Sequence, residues 1–295
     1  MKRPHRQLVE IGDRVLCVRV SGSGPTVVLE AGGGGEGSTG AFGSLEESLE
    51  SFASVVTYDR AGSGRSDGPV HRTVAAMADD LDQLLETLGC SLPVVIVGWS
   101  SGGLVAEMFA LRHTKKVAGL VLLDPAEMPF GSRLGAARLA TKVITNTLIL
   151  SLAVQLEPRL PGAGRKLARR LAPPGASNQT LERLDDIVVT PPKARWSSTP
   201  VMVLFGRYIR ETSQALSSAT APDLPVQVLA PRHRTGIPVS AARRLEALHH
   251  SLAARFPRGQ LVFVDNASHA LPIDRPDAVL AAVRDVINAS DVRNT

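Results

Sequence analysis

Cysteine is scarce, with only Cys17 and Cys90 in 295 residues. Two thiols so far apart supply neither a disulfide framework nor a metal-ligand spacing, so a reducing compartment is expected. Aromatic residues make up 4% of the chain and no run of like charges is long enough to form a basic tail, which removes the stacking platforms and charged arms of nucleic-acid binders. The net charge of +5 therefore predicts no nucleic-acid partner. Long apolar runs are missing as well. The longest, Val143 to Leu156, is interrupted by Thr, Asn, Ser and Gln and is too short to span a bilayer, and the first residues carry no apolar signal core. No stable membrane insertion is expected, and the expected location is cytoplasmic.

What is present is core material. With 44% hydrophobic and 21% charged residues and a mean hydropathy of +0.07, the chain can bury a large interior, which excludes general disorder. Its length fits one large domain or two modest ones.

Short β-branched runs alternate with helical patterns along the chain, the signature of a parallel sheet built from βαβ units. A hairpin is expected from Leu8 to Val20 around Gly12-Asp13, then strands at Thr26–Glu30, Val55–Tyr58, Pro93–Val97, Val117–Leu123 and Gln260–Val264. Ser44 with Glu47 reads as a capping box that starts a helix. Thr73 to Leu88 carries an apolar stripe at three- and four-residue intervals and reads as an amphipathic helix. Leu104–Arg112 and the segment from Arg275-Pro276 to Asn288 are further helices, and Asp59–Asp67 is too rich in Gly and Ser to be anything but a loop.

Between residues 129 and 222 the pattern changes to helical segments, proline pairs and local basic charge, so a helical cap is expected there, inserted into an α/β core of residues 1–128 and 223–295. Of two strand-like segments, Thr199–Phe205 and Leu224–Leu229, the second is expected to return to the sheet. Arg165, Lys166, Arg169 and Arg170 share a helix face and read as solvated surface.

The sharpest chemical feature is Gly98-Trp99-Ser100-Ser101-Gly102, a G-x-S-x-G between a buried strand and a helix. A serine at the tip of such a turn has a strained backbone, and small residues two before and two after it prevent collision. Ser100 is therefore the expected nucleophile, and it needs a base to take its proton. Of seven histidines, His269 lies in the loop after the last strand, on the sheet edge where Ser100 emerges. His5, His71, His113, His233, His249 and His250 read as terminal, loop, helix-end or surface residues.

The acid that orients the base is harder to place. The loop after Leu229, Ala230-Pro231-Arg232-His233-Arg234-Thr235-Gly236, holds no carboxylate. Glu246 lies inside a helix and Glu211 far from His269. Asp124, at the end of the strand next to that of Ser100, is the expected acid, with Glu127 as the second choice. An oxyanion needs two converging backbone N–H groups. Ser101 supplies one and Gly33, with Gly34 as its neighbouring alternative, the other. No phosphate-binding glycine pattern and no metal spacing is present, so neither cofactor nor metal is expected.

The motifs VVLEAGGGG, VVTYDRAGSGRSD, VVIVGWSSGG, VAGLVLLDP and NASHALPIDRP occur in that order, and together they resemble the α/β-hydrolase fold over nearly the whole chain. The resemblance implies a mostly parallel sheet flanked by helices, a nucleophile elbow at Ser100, a base at His269, oxyanion donors at Gly33 and Ser101 and a helical cap. Two departures stand out. The usual His-Gly before the oxyanion glycine is Ala31-Gly32, preceded by Glu30, and the acid usual after the penultimate strand is missing. The pattern is similar to the branch of this fold in which the acid follows the strand after the elbow, and Asp124 matches that place. Dehalogenases and epoxide hydrolases of this fold use an aspartate nucleophile, which Ser100 opposes.

The expected activity is hydrolysis of a carboxylic ester, lactone or thioester of a hydrophobic small molecule through Ser100, His269 and Asp124. The alternatives are a non-hydrolytic ligand-binding member, or acyl transfer and cyclisation on the same acyl-enzyme. Sequence leaves the oligomeric state open, a homodimer included.

Overall fold

The computed structural model describes residues 6–32, 42–126, 149, 156–170, 198–234 and 239–290. Within them one sheet contains β1 (Gln7–Ile11), β2 (Arg14–Gly22), β3 (Thr26–Glu30), β4 (Ser54–Tyr58), β5 (Val94–Trp99), β6 (Val117–Leu123), β7 (Pro225–Pro231) and β8 (Arg258–Val264). Their order is β1-β2-β4-β3-β5-β6-β7-β8. The β1–β2 hairpin and the β2–β4 pair are antiparallel, and every other pair is parallel. The sequence expectation of a mostly parallel α/β sheet holds. Of the two candidate segments, the one around Leu224–Leu229 supplies β7, while Thr199–Phe205 lies in a helix.

The helices are α1 (Ser44–Leu49), α2 (Val74–Thr87), α3 (Ser101–Arg112), α4 (Ala163–Arg169), α5 (Ser198–Ser218), α6 (Val239–Arg255), α7 (Leu271–Asp274) and α8 (Pro276–Ala289). The central strands are apolar at successive positions because both faces are covered, and alternate residues divide between them. Val28, Ile96, Leu120 and Leu122 face a layer that includes Leu81 and Leu84 of α2, Val105 and Phe109 of α3 and Leu252 of α6. Val27, Leu29, Val95, Val97, Val121 and Leu123 face Leu45 of α1 and Val279, Val283 and Val286 of α8. With six parallel strands running one way, the ends of β3, β5, β6, β7 and β8 open on one edge of the sheet.

Three local expectations change. Gly43, not Ser44, caps α1: it holds φ of 55°, Ser44 is already helical, and no side-chain cap bond forms, so the capping box is absent. β5 runs on through Gly98 to Trp99 and α3 begins at Ser101, three residues before the expected Leu104, so the turn between them is a single residue, Ser100. Within the segment read as a cap, Tyr208, Ile209 and Leu216 of α5 join the same apolar cluster as α2 and α3. The second half of α5, inside the segment read as a cap, therefore packs on the α/β core. Glu211, from the same helix, accepts the backbone N–H groups of Val74 and Ala75 at 3.0 Å each and so closes the start of α2 beside the Thr73 cap. Most of the apolar segment Val143 to Leu156 lies outside the described residues. Arg165, Lys166, Arg169 and Arg170 are exposed, as expected of a solvated face. No described helix is long and apolar enough to cross a membrane.

Candidate active site

Ser100 stands between β5 and α3 with φ 54° and ψ −119°, a conformation that L side chains rarely adopt. Such strain costs on the order of 1–3 kcal/mol and persists only where the surroundings over-determine it. Here they do. Ser100 N–H donates to Leu123 O at 3.0 Å, and its carbonyl accepts from Gly103 at 3.1 Å and Ala126 at 2.9 Å. A Cβ on Gly102 would sit 2.1 Å from the Glu30 carbonyl oxygen, and one on Gly98 would sit 2.8 Å from the Gly102 oxygen. The flanking glycines are thus required by close backbone approach, as the motif implied.

Asp124 follows β6 immediately and also has positive φ, 41°. Its N–H bonds to Leu229 O at 2.7 Å, and the Ala126 bond to Ser100 O ties its turn to the elbow. The carboxylate is 4% exposed and its Oδ2 lies 2.7 Å from His269 Nδ1. A carboxylate oxygen can only accept, so Nδ1 donates and Nε2 is left able to take a proton. Burial alone would raise the Asp124 pKa, but the bonds from His269 and from Arg234 outweigh it and hold the carboxyl well below the usual range. Asp124 is ionised at neutral pH.

His269 has its own supports. Trp99 Nε1 donates to the His269 carbonyl at 2.8 Å, and its ring lies 6.0 Å from the imidazole. Asp274 Oδ2 accepts from Ser268 N at 2.9 Å and Ser268 Oγ at 2.5 Å, which pins the loop one residue ahead. The imidazole itself is 55% exposed. Among the described residues no hydrogen bond joins His269 to Ser100 Oγ, so His269 meets Asp124 and not Ser100. Such bonds commonly close only when substrate is bound.

Two residues at this site escaped the sequence reading. Arg234, in the loop noted for having no carboxylate, grips Asp124 through both guanidinium nitrogens, Nη1 to Oδ2 at 3.0 Å and Nη2 to Oδ1. His249, read as a surface helix residue, is fully buried. Its Nε2 lies 3.3 Å from Pro125 O, which can only accept, and its Nδ1 lies 3.5 Å from Arg234 Nη2, which can only donate. One neutral tautomer satisfies both. Burial keeps the ring neutral by lowering its pKa, against the opposing pull of Asp124, so its 3.8 Å approach to that carboxylate is not an ion pair. The spacing of His249, Leu252, Ala253 and Phe256 along one helix face is the signal that could have placed it inside.

On the other side of the elbow, Gly32 runs against Ser100: a Cβ there would lie 3.2 Å from Ser100 Cβ and 3.8 Å from Oγ. Ser101 opens α3, where its N–H is one of the unpaired helix-start donors. Gly33, Gly34 and Glu127 lie outside the described residues. Among the described residues no group of three or more His, Cys, Asp and Glu is arranged to hold a metal ion.

Residues 27–282 match the profile of the Alpha/beta hydrolase family. The chain belongs to that family. This member is 29% identical to the sn-1-specific diacylglycerol lipase ABHD11 of Mus musculus, over 78% of this chain and 70% of that protein. It is 33% identical to the uncharacterized protein YqjL of Bacillus subtilis over 37% of this chain, and spans less than half, 42%, of that relative's length. A thermophilic esterase from Thermogutta terrifontis shares the fold with a TM-score of 0.66 at 23% identity, over 96% of this chain and 98% of the esterase.

Proposed function

We propose that this family member is a serine hydrolase of carboxylic esters, lactones or thioesters carried by hydrophobic small molecules. The observation that carries the reading is the 2.7 Å bond from His269 Nδ1 to a buried, ionised Asp124 at the edge where the strained Ser100 emerges. His269 Nε2 takes the proton of Ser100 Oγ as that oxygen bonds to the carbonyl carbon, and the charge moves to the carbonyl oxygen. The N–H groups of Ser101 and Gly33 receive it. The imidazolium, stabilised by Asp124, returns the proton to the leaving oxygen or sulfur as the acyl-enzyme forms. Water then repeats the sequence: His269 removes its proton, the hydroxide oxygen bonds to the acyl carbon, and Ser100 leaves with the proton. The lipase among the relatives and the esterase among the structural neighbours agree with this substrate class. A cap within residues 129–222 would cover the site, and its apolar segment from Val143 favours an apolar acyl or alcohol group.

Replacing Ser100 with Ala tests the reading on p-nitrophenyl butyrate. Turnover is expected to fall by at least about 10³-fold while the circular dichroism spectrum is unchanged. Retained turnover would remove Ser100 from the mechanism.

A further inference from the structure

The loop Asp59–Asp67, rich in Gly and Ser, plays no part in the triad, yet it is tightly built. Asp59 Oδ2 accepts from Arg65 N at 2.9 Å, and a Cβ on Gly64 would collide with that carboxylate at 2.2 Å. Ser66 Oγ donates to the Asp59 carbonyl and accepts from Cys17 N at 2.8 Å, while Asp67 Oδ1 accepts from Val15 N at 2.7 Å. The loop is therefore stapled to β2 at two points. What it holds in place is Arg60.

Arg60 Nη1 donates to Glu30 Oε1 at 2.5 Å and to the Ala31 carbonyl at 2.9 Å, and Nη2 donates to the Gly32 carbonyl at 3.2 Å. Tyr58 OH donates to the other Glu30 oxygen at 2.5 Å. Glu30 is fully buried and the Arg60 side chain is 12% exposed. Burial pushes the Glu30 carboxyl up, and Arg60 and Tyr58 counter it. A buried ion pair is weak evidence for stability, because well-packed apolar residues of similar size would hold two strands as well or better. This pair does something apolar residues cannot: it takes two successive main-chain carbonyls beside the nucleophile.

A trans peptide is planar, so holding its carbonyl on one side turns the N–H of the same unit to the other. The unit that carries the Gly32 carbonyl also carries the N–H of the next residue, and the Gly32 backbone borders Ser100. We propose that Arg60, braced by Glu30 and Tyr58, is a positioning residue for the oxyanion hole: by gripping the Ala31 and Gly32 carbonyls it aims the N–H groups that follow at the oxygen that becomes charged. The proposal rests on the serine-hydrolase reading. It gives the DRAGSGRSD loop a purpose and explains why this chain has Glu30 ahead of its oxyanion glycines.

Arg60→Lys tests it in the full chain, because an ammonium keeps a charge for Glu30 but loses the planar fork that spans three oxygens. Kinetics are read on p-nitrophenyl butyrate, with competent sites counted by end-point labelling with a fluorophosphonate. Misaimed oxyanion donors act in the transition state, so kcat per labelled site is expected to fall about 10–100-fold with KM changed by less than about twofold. A purely structural role would lower the number of labelled sites and leave kcat per site within about twofold of wild type, which would overturn the proposal. A rise in KM that accounts for the whole loss would also overturn it. Should Arg60→Lys not fold, Glu30→Gln carries the test, because it keeps an acceptor for Arg60 but releases its charge. A drop of about three- to tenfold in kcat per labelled site is expected there, and an unchanged value overturns the proposal. Wild-type protein inert to both the ester and the fluorophosphonate would instead bring down the hydrolase reading, and the proposal with it.

Discussion

The two flanks of β5 are built alike. On one side Glu30 ends β3 and Arg60 follows β4; on the other Asp124 follows β6 and Arg234 follows β7. Each flank sets a buried carboxylate at a strand end and an arginine from the next strand outward, with Ser100 between them. The third partner differs. Glu30 is closed off by the Tyr58 phenol, whereas Asp124 reaches His269, whose ring is 55% exposed. Burial dominates the first carboxylate and raises its pKa, while hydrogen bonds dominate the second and lower it. The same pair thus serves two ends: a sealed pair holds backbone still, and a pair opened to an imidazole can stabilise a moving proton.

The comparison breaks most visibly on amide substitution of each carboxylate. Asp124→Asn leaves the shape but lets the side chain present an N–H to Nδ1, which favours the wrong tautomer of His269, and kcat is expected to fall by about 10³–10⁴-fold, the loss expected of a triad acid. Glu30→Gln, by contrast, is expected to cost only several-fold. Steady-state kinetics on one ester compare the two, and equal losses would erase the distinction between the flanks. Arg60→Lys falls between these extremes.

The smallest effect concerns His249, which has no counterpart among the described residues of the Glu30 flank. Its folded pKa lies below the ordinary 6.5, so below that pH the unfolded chain binds one proton more than the folded one. Stability is therefore expected to fall as the pH drops through about 6.5, by up to about 1.4 kcal/mol per pH unit. Asp124 acts in a separate window, since a lowered carboxylate pKa keeps its contribution whole above about pH 4 and loses it only in stronger acid. Thermal midpoints from pH 7 to 5 should show a flatter slope for His249→Gln than for wild type. Parallel slopes would mean that the buried ring is not what titrates.

Much of this site was legible in the sequence because its signals are local. The apolar run Val94–Val97, the glycines around Ser100 and the loop position of His269 each follow from what neighbouring residues in the chain require. Asp124 stood out once the usual place of an acid was found empty. Arg234 did not, because an arginine's meaning lies in what it pairs with, and Asp124 lies far from it in sequence; the stripe of His249 could have placed that residue inside, but not beside Asp124. The loop after β7 read as lacking an acid, when its arginine pairs with Asp124. The place of Tyr208, Ile209 and Leu216 was missed for a similar reason: they form a helical stripe that only the packing of α5 on α2 and α3 identifies as core. The Ser44-Glu47 box failed because Gly43 reaches a positive φ that caps the helix without a side chain.

The central claim is that Ser100 is activated by His269. Time-resolved labelling with a fluorophosphonate, followed by mass spectrometry of the modified peptide, tests it most directly. Rapid modification of Ser100 in the wild type, slowed by at least about 10²-fold in His269→Ala, is the predicted result. No modification in the wild type, modification at another serine, or an unchanged rate in His269→Ala would contradict it.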